Sequence, residues 1–350
     1  MTNTGSENRL YFDIETTGLS PASSHITVIG TAFSDASGTH VKQFVCLKPT
    51  DEKKILREFA SYIGGFDTLV HYNGRSFDIP YVTAKCRFYQ IRNTLYDMHE
   101  TDLYRTARRF SFLTGLGQTK QKDVEKLAGF KRTDTLSGAD CIRAYMDHIC
   151  SGSREALDKL LLHNREDLEG MVCISEYLEM LGSVAEGRFS LIGFSDEGEA
   201  SCSELGIRIE AEKPFKVPVS ASYEPAGTGR GIPFAFTAEG KLAVFSLKAY
   251  SGELRYYFDD YKDYYFLPEE GRAVHKSIGQ FVDPAFREKA KKETAFEPVT
   301  AVFYPQCGSV IRPQFKSSPD DKTGYFRLED IKDPDDLKRL IMEAFSEASK

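Results

Sequence analysis

Residues 9–14 (RLYFDI) open an apolar run after a polar tail. Further runs follow at 26–33 (ITVIGTAF) and 42–47 (KQFVCL), with turn-forming residues between these two at Asp35–Gly38. Short β-branched and aromatic runs bounded by such turns predict three strands, and their close succession predicts antiparallel neighbours. Over 51–63 the period changes. Ile55, Leu56, Phe59 and Ile63 share one face, which predicts a helix. Residues 67–72 (DTLVHY) read as a fourth strand. Helices are predicted after Pro80, over Leu103–Phe110, and over Gln121–Leu127 with a stop at Gly129. Helical spacing returns over 153–181, with a break expected near Asn164. The order β-β-β-α-β-α-α-α followed by long helices predicts an α/β layer built on a mixed sheet.

The pattern changes again near residue 182. Residues 183–204 are rich in Gly, Ser, Ala and Glu and read as a linker. Alternating stretches follow at 215–223, 232–237, 241–249 and 253–258, with a hairpin turn expected at Ala238–Gly240. An amphipathic helix is predicted over 335–348, behind Asp333-Pro334. The expected organisation is an α/β domain over 1–182, a linker over 183–204, and a smaller β-rich α+β domain with a terminal helix over 205–350. A length of 350 residues fits two domains, and 41% apolar with 28% charged residues is an ordinary globular balance.

The net charge of −7 argues against a protein that coats duplex nucleic acid unspecifically, though local basic stretches can still guide phosphates. The seven cysteines include no C-x-x-C pair, so reduced, mostly buried thiols are expected rather than a zinc site. The first residues lack a basic region followed by an apolar stretch, and no run approaches 18 apolar residues. The expectation is a cytoplasmic protein with no membrane partner.

Four acidic residues stand out. Asp13 and Glu15 lie two apart at the end of a predicted strand, so both point to one face. Two carboxylates side by side repel, and such a pair usually needs a cation. Asp78 follows the Asn73-Gly74 turn and opens a helix, where it could equally serve as a cap. Asp167 lies four residues after His163, on the same helical face, and could close a capping box with Asn164. Each acid alone has an ordinary structural explanation.

Taken together they are more specific. Asp13-Ile-Glu15-Thr-Thr-Gly18, then Asn73 with Phe77-Asp78, then His163-x-x-x-Asp167 resembles the DEDD exonuclease superfamily in order and approximate spacing. Residues 9–180 also resemble the predicted ribonuclease H-like exonucleases of bacteria. That likeness includes His99-x-x-Asp102-Leu103, Ala107-Arg108-Arg109, and Asp123-Val-Glu125-Lys-Leu with Gly129. The resemblance covers about half the chain. It implies a ribonuclease H-like fold and 3′–5′ hydrolysis of DNA or RNA. It also implies two divalent ions, Mg²⁺ or Mn²⁺, which would offset four of the chain's negative charges. By position, Asp13 would bridge both ions, Glu15 and Asp167 would hold the first, and Asp78 would hold the second through water. Hard ions want carboxylate oxygens, and a pair of them can serve the attacking and leaving oxygens together.

One departure concerns the general base. In one branch of the superfamily it is a Tyr four residues before the last Asp, in another a His five residues before. Here His163 takes the Tyr spacing. An imidazole can serve as a base near neutral pH, or His163 can act only in orientation. Tyr104 and His71 are weaker stand-ins. Candidate substrate contacts are Asn73, with Thr16 and Gly18, and more weakly Arg109; the alternative role of Asn73 is its turn with Gly74. The expected partner is a single strand or a 3′ end. In the second half, residues 254–266 carry seven aromatic residues, expected to be half core and half surface, with Arg272, His275 and Lys276 nearby. Two other readings stay open. One is a non-catalytic nucleic-acid-binding or scaffold protein on the same fold, the other a structure-specific endonuclease.

Overall fold

The computed structural model describes residues 8–116, 118–197, 203–225 and 231–350. The polar tail, Cys202 and residues 198–202 of the expected linker lie outside them. The chain divides into two compact units, residues 1–111 with 116–179, and residues 112–115 with 180–350.

The first unit is built on a five-stranded sheet. Its strands are β1 (Arg9–Thr16), β2 (Ile26–Asp35), β3 (Gly38–Val45), β4 (Thr68–His71) and β5 (His99–Asp102), in the order β3-β2-β1-β4-β5. β1, β2 and β3 pair antiparallel, while β4 and β5 run parallel to β1. The sheet is therefore mixed, as the pattern predicted. β5 was not anticipated. Its sequence, HETD, has no apolar alternation, and its strand geometry comes from pairing with β4 from Thr68↔His99 to His71↔Asp102.

The helices are α1 (Glu52–Tyr62), α2 (Asp78–Phe88), α3 (Leu103–Arg109), α4 (Ser111–Thr114), α5 (Gln121–Leu127), α6 (Gly138–Ser151) and α7 (Arg154–Ala185). Alternation along β1 sorts its side chains. Leu10, Phe12 and Ile14 are buried in one cluster with Ile55, Leu56 and Phe59 of α1 and Ile79 and Val82 of α2. Each such side chain contributes on the order of 1.5–3 kcal/mol through burial. Tyr11, Asp13 and Glu15 take the other face. A second cluster joins Val28 to Cys141 and Tyr145 of α6 and Leu157 and Leu160 of α7. α6 was also missed, although Ser137 and Asp140 form a full capping box before it. The expected break at Asn164 is absent. α7 runs unbroken through it, because the Asn164 side chain is engaged elsewhere and caps nothing.

A buried ion pair anchors α1 to α2. Glu52 is fully buried and its carboxylate accepts from the Ile26 N–H (2.8 Å) and the Tyr89 hydroxyl (2.8 Å). Lys85 lies 3.2 Å from it and is buried as well. Burial opposes ionisation of Glu52, but these donors outweigh it and hold its carboxyl below the ordinary value.

The second unit carries β6 (Phe189–Glu197), β7 (Glu204–Tyr223) and β8 (Phe234–Lys248) as one antiparallel sheet. β6 therefore occupies much of the stretch read as a linker over 183–204, and α7 covers its first residues. β7 and β8 are long enough to override two other expectations. The separate strands at 232–237 and 241–249 are one strand, and Ala238–Gly240 is no hairpin turn. The register with β7 shifts there, and Gly240 takes a left-handed φ of 57° that glycine adopts without strain. β9 (Tyr250–Tyr257) belongs to a small closed barrel with β13 (Phe296–Gln306), β14 (Phe315–Lys316) and β15 (Gly324–Phe326). β10 (Tyr264–Leu267), β11 (Arg272–His275) and β12 (Glu288–Lys289) form a further sheet, with the single turn α8 (Lys276–Gly279). The terminal helix α9 (Pro334–Ala348) starts at an Asp333 cap, as expected. Its Phe345 stacks on Phe234 with centroids 5.6 Å apart. Cys46, Cys86, Cys141 and Cys307 are buried free thiols. No helix among the described residues is long and apolar enough to cross a membrane.

Glu52→Ala would leave the Lys85 ammonium buried without its carboxylate. The expected loss is about 3–5 kcal/mol of stability. Urea denaturation monitored by far-UV circular dichroism checks this; an unchanged midpoint would contradict the anchoring role.

Candidate active site

β1 ends at the site. Asp13 pairs with Gly30 and Glu15 with Val28 across the β1–β2 ladder, so both carboxylates stand on the α7 side of the sheet. Asp167 reaches them from α7, and the ligand oxygens of Asp13, Glu15 and Asp167 all lie within 4.8 Å of one another. Asp78 opens α2, and its Oδ1 accepts from the Ile14 N–H between the two β1 acids (3.3 Å). The four carboxylates picked out in the sequence thus converge from three elements.

Burial and the charge of neighbouring carboxylates both disfavour ionisation of these groups. Burial, followed by the charges of Asp167, Asp78 and Glu15, pushes Asp13 well above the carboxylate range. Burial and the charges of Asp167, Asp78 and Asp134 do the same to Glu15. Burial raises Asp78 to about 7 against the pull of its own and the Ile14 N–H. Asp167 is raised by burial, with His163 and Arg132 opposing. A group of carboxylates this close is stabilised by positive charge, and hard divalent ions match its oxygen donors. Glu15, Cys141 and His163 also cluster, but burial pushes the Cys141 thiol up, away from the thiolate a metal needs. The all-oxygen set is the better fit to a cation.

His163 lies inside the cluster. Its Nδ1 is 2.6 Å from Asp134 Oδ2, while Nε2 faces Asp167 Oδ2 at 3.3 Å and Glu15 Oε1 at 3.7 Å. The i, i+4 spacing on α7 makes the contact with Asp167. Burial opposes ionisation of Asp134, but the Leu136 N–H and His163 outweigh it and keep its carboxyl below the ordinary value. Asp134 was missed in the sequence, as was Arg132. Both lie in the irregular stretch between α5 and α6. Arg132 contacts Glu125 through two nitrogens, at 2.5 and 2.8 Å, and pairs with Asp167. Glu166 fixes this stretch from α7, accepting from the Thr133 N–H at 3.0 Å and the Asp134 N–H at 2.8 Å.

Asn164 was read only as a helix cap. It is fully buried, and its Nδ2 donates to Asp13 Oδ2 (2.8 Å) while Gln43 Nε2 donates to its Oδ1 (2.9 Å). Gly30 allows this approach, since a Cβ there would collide with the Asn164 amide. The glycine in ITVIGTAF was the available signal.

The other candidates scatter. The Thr16 hydroxyl donates to the Gly18 carbonyl (2.9 Å), and Gly18 packs against Ser24, so both shape the turn after β1. His71 is fully buried and its Nδ1 accepts from the Gly74 N–H (2.9 Å). It belongs to the β4 turn and is no stand-in base. Asn73 adopts a left-handed φ of 60°, and its N–H donates to Asp102 (2.9 Å). It also lines a cleft of about 520 Å³ with Tyr72, Tyr104, Arg108 and Lys120. Arg109 is exposed beside the Phe110 ring, and its neighbour Arg108 takes the cleft position instead.

Residues 10–179 match the family model of the RNase_H superfamily. This part of the chain is a ribonuclease H-like domain with the α/β architecture described above. Among solved structures, a family B DNA polymerase from the archaeon Pyrobaculum calidifontis is similar at 17% identity and a TM-score of 0.41, covering 51% of this chain and 26% of that one. E. coli exonuclease I in complex with a dA16 oligonucleotide is similar at 14% identity and 0.30, covering 60% and 56%. The zinc-bound E. coli exonuclease I–single-stranded DNA complex is similar at 11% and 0.29, covering 98% and 70%. The chain thus spans about a quarter of the polymerase and just over half of exonuclease I in its dA16 complex. No curated protein sequence matches it.

The raised pKa of Asp78 gives a test with a definite sign. Its folded value of about 7 lies above the ordinary 3.8. The protonated form therefore supplies stability that is complete below 3.8 and is lost as pH rises through 7. In EDTA, Asp78→Asn is expected to match the wild type in thermal midpoint at low pH and to exceed it increasingly toward neutrality. Added Mn²⁺ should raise the wild type more than the variant. A constant difference across the pH range would contradict the burial of the Asp78 carboxyl.

Proposed function

We propose that this chain is a metal-dependent nuclease that hydrolyses phosphodiester bonds of DNA or RNA from the 3′ end. The observation that carries the reading is the convergence of Asp13, Glu15, Asp78 and Asp167, with three of them placing oxygens within 4.8 Å of one another. These four carboxylates would hold two divalent ions, Mg²⁺ or Mn²⁺. Such ions supply Lewis acidity and lower the pKa of coordinated water.

The chain's own groups do the rest. In the neutral imidazole, Asp134 takes the Nδ1–H of His163 and fixes that tautomer, leaving Nε2 directed at Glu15 and Asp167. Nε2 is then placed to accept a proton from an attacking water held among those oxygens. Arg132 and Lys122 temper the negative charge, Arg132 through Asp167 and Lys122 through Asp134 at 3.6 Å. Asn164 holds the Asp13 carboxylate in orientation. The cleft of Tyr72, Asn73, Tyr104, Arg108 and Lys120 offers ring faces and cations to an unpaired strand end. Polarity from the 3′ end is supported by the motif order of the DEDD pattern.

The experiment is a nuclease panel of single- and double-stranded DNA and RNA, with 3′ ends open or blocked, in Mg²⁺ and in Mn²⁺. Metal-dependent release of mononucleotides from open 3′ ends is expected. Asp13→Asn should abolish it, and His163→Ala should lower kcat about 100-fold or more. Asp134→Asn should lower kcat with little change in KM. Cleavage of end-blocked substrates would make it an endonuclease. Tight binding without cleavage, together with negligible Mn²⁺ uptake by calorimetry, would make it a non-catalytic binder.

A further inference from the structure

The second unit holds a cleft of about 290 Å³ within residues 180–350. One side is the end of β9 and the turn after it, with Tyr256, Tyr257, Phe258 and Tyr261. The other is the segment 309–319, with Arg312, Gln314 and Lys316, and Lys292 lies at the rim. From these residues we infer that the cleft is a binding site for an unpaired nucleotide of a single strand. The choice of ligand rests on the nuclease reading.

The aromatic residues of 254–266 divide as the burial pattern requires. Phe258 stacks on Tyr264 with centroids 4.1 Å apart and planes 11° from parallel, and Tyr257 and Phe266 pack on Phe296. The Tyr257 hydroxyl donates to the Ser317 carbonyl (3.2 Å) and ties β9 to the opposite wall. Tyr256 differs. It is 37% exposed and stands edge-on to Phe258 at 5.3 Å, in the lining of the cleft. A ring held by its neighbours and open to solvent can stack on a base without much loss of freedom.

The charges point the same way. Three cations, Lys292, Arg312 and Lys316, line the cleft against one carboxylate, Asp259. Lys292 is paired with Asp320 at 2.6 Å. Arg312 is exposed and has no ion pair among the described residues, so its guanidinium can meet a phosphate without first giving up a partner. In a chain of net charge −7, a cation-rich pocket is a local departure that selects anions. A phosphopeptide site would call for several arginines converging on one phosphate, whereas here a single arginine accompanies a run of rings. Rings with scattered cations fit a strand of bases and phosphates.

The test is fluorescence anisotropy with a labelled oligothymidylate and the full chain in EDTA. Tyr256→Ala and Arg312→Gln are each expected to weaken binding about fivefold or more. A blunt duplex should bind less tightly than the single strand and respond little to Tyr256→Ala. Arg312→Gln changes an exposed side chain and keeps the test decisive if Tyr256→Ala perturbs folding by circular dichroism. Unchanged affinity in Arg312→Gln would overturn the inference. So would equal weakening toward heparin or a phosphotyrosine peptide, since that would make the cleft a general anion site. Cleavage by the wild type in Mn²⁺ is read separately. Its absence would sink the nuclease reading and leave the binding result standing, whereas unaffected variants with intact cleavage would sink only the cleft.

Discussion

Four carboxylates held together against their own repulsion are the constraint around which the first unit is organised. In water such groups would separate. Here the β-strand period fixes Asp13 beside Glu15, the start of α2 fixes Asp78, and α7 fixes Asp167, so the charges cannot move apart without undoing packed elements. Burial first, and then the charge of neighbouring carboxylates, raises the carboxyl pKa of all four. On the proposed reading, a hard divalent cation would relieve the cost of holding these charges together.

The surroundings are arranged to the same end. Gly30 gives room for Asn164, and Gln43 sets the Asn164 amide so that its nitrogen donates to Asp13. Glu166 grips the backbone at Thr133 and Asp134, and that grip delivers Arg132 to Asp167 and Asp134 to His163. Adjacent residues on α7 thus do different work. Asp167 and His163 enter the site, while Glu166 fastens the stretch that supports them. Geometry of this kind gives His163 a defined orientation, which a lone helical histidine would lack.

Rigidity beneath the site has a separate source. Glu52, Lys85, Tyr89 and the Ile26 N–H form one buried polar knot joining α1, α2 and the start of β2. Because α2 also begins with Asp78, this knot and the apolar cluster around Phe12 and Phe59 hold the helix start that presents Asp78. Packing and chemistry therefore share an element, and a change in one is transmitted to the other.

The sequence by itself determined the elements whose apolar pattern repeats. β1 to β4 were legible as short β-branched and aromatic runs bounded by turn residues, and α1, α7 and α9 by apolar positions repeating with period 3.6. Spacing put Asp13 beside Glu15 and His163 beside Asp167, while Asp78 joined them only through the order of the whole motif. β5 was not, since HETD owes its conformation to pairing with β4. The hairpin expected at Ala238–Gly240 was read from turn residues that the structure uses for a register shift within one long strand. Asp134, Arg132 and the true role of Asn164 were decided only by tertiary structure. Their contacts span 29 to 151 residues of sequence. Local periodicity carries no information about partners that far apart, so only the folded sheet and α7 together could select them.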